Sequence, residues 1–489
     1  MASGQITVGR LLATPGRGGC TYGATICWEN GKVSSVSAGG RPDDVKAGKG
    51  LLALPALVNA HDHGRGLRQL AFGARDQQLE LWRPALYAHP PVDPYLNAVV
   101  AFGRLARAGV GTVVHVHSSI VVHKLVSDAE AVARAANAVG IRLAFVVPLR
   151  DCRTLGYGDD QEMLARHPPA DREMIRQKWL YRFPSPAEYM MLVREIARRI
   201  ESPTVSVQLG PNSPQACTDA LLEAIAAESA DGNRRVHTHL LETATQRRWS
   251  DAQYREGIIR HLDDLQLLSP RFTGAHGVWL KPEDCRLLAE RGSSIVINTS
   301  SNLRLRSGIP PVSDYIHAGM KFALGVDSSS FDDDDDAFRE MRVTHWLHSL
   351  HENPAPLTPE RLFDAALRNG HEVAMSSRHY GSIEPGMPAD FVILDYDSMA
   401  YDVIEGMVEE LDVLLTRATR NHVKHVFVNG RPIVQNGGTA GLDLAALERE
   451  LLMQAHAAAP AMRALQPIME RSQETLRAFY ESGGHLTLD

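Results

Sequence analysis

Between residues 55 and 326, short apolar runs alternate with amphipathic helical stretches, and this alternation constrains the fold more than any other feature. A strand that must cross over a helix before the next strand implies βα units and a parallel sheet. The runs are the one before His61, then 111–117, 142–149, 204–209, 236–241, 272–278, 294–298 and 322–326, eight in all. Eight units close into a (β/α)8 TIM barrel, an α/β fold whose active site lies at the C-terminal strand ends. Polar residues fall at those ends: His61, His63, His115, His117, His239, His276, Asn302 and Asp327.

The flanks read differently. Residues 6–11, 23–28 and 32–37 suggest short strands, the last two joined at Asn30-Gly31, a hairpin signal. Residues 381–395 and 423–434 suggest more, with Asn429-Gly430 as another turn. These predict a small discontinuous β-sandwich domain from 1–54 and 376–440, a barrel over 55–375, and a helical tail over 441–489. The segment 150–186 is polar and rich in Pro, Gly and charge. A loop that long reads as a lid, a cap or a disordered insert.

The chemistry concentrates in two His-x-His stretches. In a strand, residues i and i+2 share a face, so His61 and His63 aim the same way. His239 lies nearer its strand end than His237 and is the favoured ligand, while His237 reads as structural. His61, His63, His239 and Asp327 form a set of three nitrogens and one oxygen that suits one divalent ion, zinc first and iron(II) as the alternative. Glu242 follows His239 by three residues. A carboxylate there can take a proton from metal-activated water and pass it to a leaving group. His276 can ligate the metal, bond to the water or polarise the substrate, and Asp327 can both bind metal and accept a proton. The readings of His115 and His117 divide evenly between a substrate contact and a hydrogen-bonded structural role. Trp82 and Trp279 read more as packing than as stacking platforms. The five-aspartate run from Asp332 to Asp336 precedes a helix expected near Ala337, where carboxylates favour the N-terminus. Its negative potential is expected to disfavour strongly anionic substrates.

These motifs resemble the amidohydrolase superfamily, in particular its mononuclear branch of cytosine, guanine and S-adenosylhomocysteine deaminases and triazine hydrolases. The resemblance rests on Pro55-Ala56-Leu57-Val58-Asn59-Ala60-His61-Asp62-His63, His239-Leu240-Leu241-Glu242, Ala275-His276 and Leu324-Gly325-Val326-Asp327. The loop from Ser301 to Gly308 and the stretches 383–390 and 428–431 extend it over nearly the whole chain. It implies metal binding by His61, His63, His239 and Asp327, proton transfer by Glu242, and orientation of water by His276. Ser301, Asn302, His117, Trp82 and Gln208 are the candidate substrate contacts. The fourth strand carries no Lys, the residue that binuclear relatives carbamylate to bridge two metals, so a single metal is implied. Asn212 follows Pro211 where relatives often carry His, and the stretch after His63 is rich in arginine (Arg65, Arg68, Arg75).

The expected activity is deamination of an amino-substituted N-heterocycle. Hydrolysis of a chlorotriazine, urea or thiocarbamate is the alternative, and a non-catalytic binding protein on the same fold is the remote one. A net charge of -7 argues against nucleic acid as a partner. No apolar run is long enough to span a membrane. Five scattered cysteines without a disulfide framework imply a reducing cytoplasm. The resemblance implies a homodimer or a higher homo-oligomer acting on a small molecule.

Overall fold

The computed structural model describes residues 2–40, 48–119, 121–350, 354–377, 379–404 and 406–487. Its strands are β1 Gly4–Leu11, β2 Thr21–Glu29, β3 Lys32–Ser37, β4 Leu51–Pro55, β5 Leu57–Asp62, β6 Val110–Val116, β7 Arg142–Leu149, β8 Val205–Pro211, β9 Val236–Leu240, β10 Phe272–His276, β11 Ser294–Ile297, β12 Lys321–Leu324, β13 Phe391–Asp395, β14 Val423–Val428, β15 Arg431–Gln435 and β16 Gly438–Thr439. They form two eight-stranded sheets.

Strands β5 to β12 pair in sequence order and in parallel, as the alternation requires. Both faces of this sheet are covered, which is why a strand such as β6 (VGTVVHV) is buried throughout. The helices on the outside carry ordinary start signals. Asp93 accepts a bond from the Leu96 amide with Pro94 at the first helical position, and Ser185 and Glu188 form a capping box. Inside the ring, Val58, Ala60, Val114, Val116, Ala144, Val146, Val296 and Ala323 pack around Val373 and Ala374. The last two belong to the helix Arg368–Met375, which plugs the barrel. The ring is sealed between β12 and β5 by the Asp327 N–H bonding to the His61 carbonyl at 2.9 Å. The Val326 N–H also bonds to Asn59 Oδ1 at 2.9 Å.

The second sheet runs β16-β15-β14-β13-β4-β1-β2-β3, so N- and C-terminal strands share it. The expected sandwich takes the form of one sheet curled over itself. Trp28 on β2 and Phe427 on β14 are four strands apart, about 19 Å on a flat sheet. Their ring centroids lie 5.3 Å apart. Phe391 of β13 joins them, 4.6 Å from Phe427. The Val33 N–H bonds to the Met387 carbonyl, and the Gly386 N–H to the Val33 carbonyl, each at 2.8 Å, nearly closing the curl.

The segment 150–186 is folded. Helices Asp160–Arg166 and Pro169–Trp179 pack Met163, Leu164, Ile175 and Trp179 against Met469, Leu476 and Phe479 of the 38-residue terminal helix Leu444–Glu481. Arg471 binds both oxygens of Asp171 at 2.7 Å. No helix among the described residues is long and apolar enough to cross a membrane.

Candidate active site

The site begins with an irregularity in β5. Asn59 pairs with Val113 and Asp62 with His115, so β5 carries one residue more than its partner in this interval. Such a bulge twists the strand and re-aims its side chains. Val58 and Ala60 face the barrel interior, and beyond the bulge His61 turns inward as well, among His63, His237, His239 and His276.

The Nδ1 atoms of three of these rings are committed. His61 Nδ1 lies 2.8 Å from His237 Nε2, His63 Nδ1 bonds to the Val116 carbonyl at 2.9 Å, and His239 Nδ1 bonds to the Asn212 carbonyl at 2.6 Å. A proton on each Nδ1 leaves the Nε2 lone pair pointing into the site. The Nε2 atoms of His61 and His63 lie 3.4 and 3.2 Å from Asp327 Oδ1. His239 Nε2 lies 3.4 Å from His63 Nε2. Burial pulls the His61 pKa down to about 4 and that of His239 well below its usual value, so both rings are neutral. His61 Nε2 and Asp327 Oδ1 are buried and make no hydrogen bond. Lone pairs converging at this spacing repel unless a cation lies between them. Tetrahedral zinc bonds of about 2.0–2.1 Å put ligands about 3.3 Å apart, so the donor set and its separations fit such an ion.

Around this cluster stand the proton-handling groups. Glu242, three residues beyond His239, is buried, and burial raises its pKa to about 7. The Glu242 N–H is held by Gln246 Oε1 at 2.7 Å. His276 Nε2 faces Glu242 Oε2 at 3.9 Å and Asp327 Oδ2 at 4.0 Å. His276 Nδ1 lies 2.9 Å from Asn302 Oδ1, to which it donates. Ser301 Oγ donates to Asp327 Oδ2 at 2.6 Å and leaves Oδ1 free. Leu241, His276, Asp327 and Ser328 have φ of 45°, 75°, 57° and 49°. Four strained non-glycine residues at adjoining strand ends are a signature of functional sites.

The remaining candidate contacts have partners of their own. His115 packs between Phe102 and Phe145, and His117 Nε2 points to Asp128 at 3.4 Å, so both face the helices. Gln208 is held away from the cluster by bonds from Nε2 to the Val373 and Ala374 carbonyls at 2.8 and 3.1 Å. Trp82 is buried, with the Arg65 guanidinium 5.5 Å from its ring. The aspartate run caps its helix, Asp336 accepting from the Phe338 and Arg339 amides at 3.1 Å. Its charges are partly matched: Asp335 pairs with Arg68, Asp333 with Arg304, and Asp332 and Asp334 with Arg339. Three arginines thus offset part of the negative potential of the five aspartates. The sequence reading overlooked Glu80 and Tyr157, which come from distant segments, and Gln246, four residues past Glu242. Glu80 accepts from the Thr243 and Tyr157 hydroxyls, and Gln246 Nε2 donates to Tyr157 at 3.2 Å. This network packs directly behind Glu242, and no local motif marks it.

Comparison with known proteins agrees with this architecture. The chain is 30% identical over 387 residues to a 5'-deoxyadenosine deaminase of Methanothermobacter thermautotrophicus, covering 77% of this chain and 82% of that protein. It is 25% identical to a 5-methylthioadenosine/S-adenosylhomocysteine deaminase of Thermococcus sibiricus, covering 84% and 89%. Among solved structures, a zinc-bound adenosine deaminase from Xanthomonas campestris superimposes with a TM-score of 0.74 at 23% identity, over 93% of this chain and 98% of that one. An atrazine chlorohydrolase from Arthrobacter aurescens, complexed with zinc, superimposes with a TM-score of 0.75 at 21% identity, over 92% and 99%. The family model for the amidohydrolase family matches residues 52–433. That span takes in the whole barrel and the β4, β13 and β14 strands of the curled sheet, and the chain belongs to the amidohydrolase family.

Proposed function

We propose that the chain is a metal-dependent deaminase of an amino-substituted N-heterocycle, with zinc held by His61, His63, His239 and Asp327. The observation that carries the reading is the convergence of the His61 and His63 Nε2 atoms on the unbonded Asp327 Oδ1, with His239 Nε2 beside His63 and a carboxyl group of near-neutral pKa close by. A divalent ion there supplies Lewis acidity and lowers the pKa of water. Glu242 takes the proton of the attacking water and delivers it to the departing amine, and a pKa near the working pH suits both transfers. His276, anchored by Asn302, is placed to hydrogen-bond the attacking water or the negative charge developing on the substrate. Ser301 holds Asp327 so that Oδ1 stays directed at the centre. The names of the two relatives at 25–30% identity favour an aminopurine nucleoside within this substrate class. The five free cysteines support a reducing cytoplasm. Exposed Tyr401, Ile404 and Met407 support a homo-oligomer.

The test is ammonia release by zinc-loaded protein from 5'-deoxyadenosine, S-adenosylhomocysteine, guanine, cytosine and aminotriazines, with chelated protein as control. Release from one class, lost on chelation and restored by zinc, is the expected result. No ammonia from any of them with stoichiometric zinc bound refutes deamination and moves the reading to chloride or another leaving group.

A further inference from the structure

Arg65 lies two residues past His63, and its backbone N–H bonds to Ser328 Oγ at 3.3 Å, beside Asp327. The residue is only 8% exposed. Among the described residues, nothing accepts a hydrogen bond from its guanidinium and no carboxylate lies within 4.0 Å; its neighbour is the Trp82 ring at 5.5 Å. Arg68, Arg142 and Arg247, also largely enclosed, each bind a carboxylate directly.

The nearest protein anions are already satisfied. Asp62 accepts from Asn59 Nδ2 at 2.8 Å, the Gly64 amide at 2.7 Å, and the Ser328 amide and hydroxyl at 3.0 and 2.6 Å. Asp335 is taken by both terminal nitrogens of Arg68. Asp327 faces the histidine cluster. The guanidinium is thus a fork of donors over the Trp82 ring, on the helix whose Glu80 bonds to Thr243 beside Glu242, with no protein group to receive it.

We propose that Arg65 is an anion subsite, and that the substrate carries a carboxylate or phosphate that pairs with its guanidinium. A guanidinium binds either group through two parallel charge-assisted bonds. This deepens the proposed function and rests on it for the heterocycle, but not for the charge. It also reverses the selection against anions that the aspartate run suggested.

The test is calorimetric binding to zinc-loaded Glu242→Gln protein, in which turnover is suppressed. Two matched pairs serve as probes: cytosine with 5-carboxycytosine, and adenosine with adenosine 5'-monophosphate. The anionic member of at least one pair is expected to bind at least about tenfold tighter, and the pair that responds distinguishes carboxylate from phosphate. Adding Arg65→Gln is expected to reduce that ratio about tenfold or more, with the neutral member little changed. Adding Arg65→Lys preserves most of it. Arg65→Leu, which keeps the contact with Trp82, replaces the Gln variant should that fail to fold. Equal binding within both pairs, or a preference that survives loss of the guanidinium, overturns the inference; the second result means that the metal holds the anion. Ammonia release is scored separately on the wild type. Its absence beside an Arg65-dependent preference refutes deamination and leaves the subsite standing, and the converse result does the opposite.

Discussion

Replacing Glu242 by Gln should separate activity from stability in opposite directions. Burial raises the folded pKa of Glu242 from its ordinary 4.5 to about 7. The folded state therefore holds this proton more tightly than the unfolded chain does. Whatever stability the carboxyl contributes is fully present below pH 4.5 and is lost as pH rises through about 7. A shift of about two and a half units corresponds to about 3 kcal/mol. Gln is neutral and nearly isosteric, so the penalty disappears in the variant. In chelated protein, the variant and wild type should denature alike near pH 4.5, and the variant should become more stable by up to about 3 kcal/mol above pH 8. At about 2.1 cal/mol/K per residue, a cooperative transition of the whole chain moves by about 3 °C. Thermal denaturation across pH 4.5–8.5 reads this difference directly. The same variant, loaded with zinc, should keep its metal and lose activity about 10²- to 10⁴-fold. Stability curves that stay parallel across this pH range would refute the buried-carboxyl argument, and near-full activity would remove Glu242 from the chemistry.

Asn302→Ala releases His276 Nδ1 and should lower kcat about 10- to 100-fold with metal content unchanged, as steady-state kinetics beside metal analysis will show. Gly325→Ala should destabilise the barrel by about 1–3 kcal/mol or more. A Cβ there would fall 2.3 Å from Asn298 Oδ1 and 2.9 Å from the His61 nitrogen, so thermal denaturation and zinc stoichiometry should both drop.

The barrel was legible because each strand is an apolar run bounded by helical periodicity, a signal contained within about ten residues. The helix start after the aspartate run was legible for the same local reason. Other features depend on partners far away in sequence. Alternation alone puts Val58 and Ala60 on one face of β5 and His61 and His63 on the other. Only the bulge before Asp62 turns both sets inward, and its cause is the pairing with β6. Gln208 reads as a polar residue near a strand end, yet its partners are carbonyls of a helix beginning at Arg368. The segment 150–186 lacks a core of its own and gains one from Met469, Leu476 and Phe479. The aspartate run is partly offset by Arg339 of the helix it caps and by Arg68 and Arg304, which lie in separate segments.

The placement of β4 bears on how the chain is made. It lies between β1, synthesised just before it, and β13, whose Phe391 pairs with Pro55. Translation at about 5–20 residues per second takes roughly 20–70 s to cover the intervening chain. Throughout that interval the apolar strand Leu51–Pro55 presents a row of unpaired backbone groups beside an emerging barrel. An open edge of this kind recruits strands from neighbouring nascent chains. Production of this protein should therefore depend more on the crowding of ribosomes on its message than on the stability of the finished molecule.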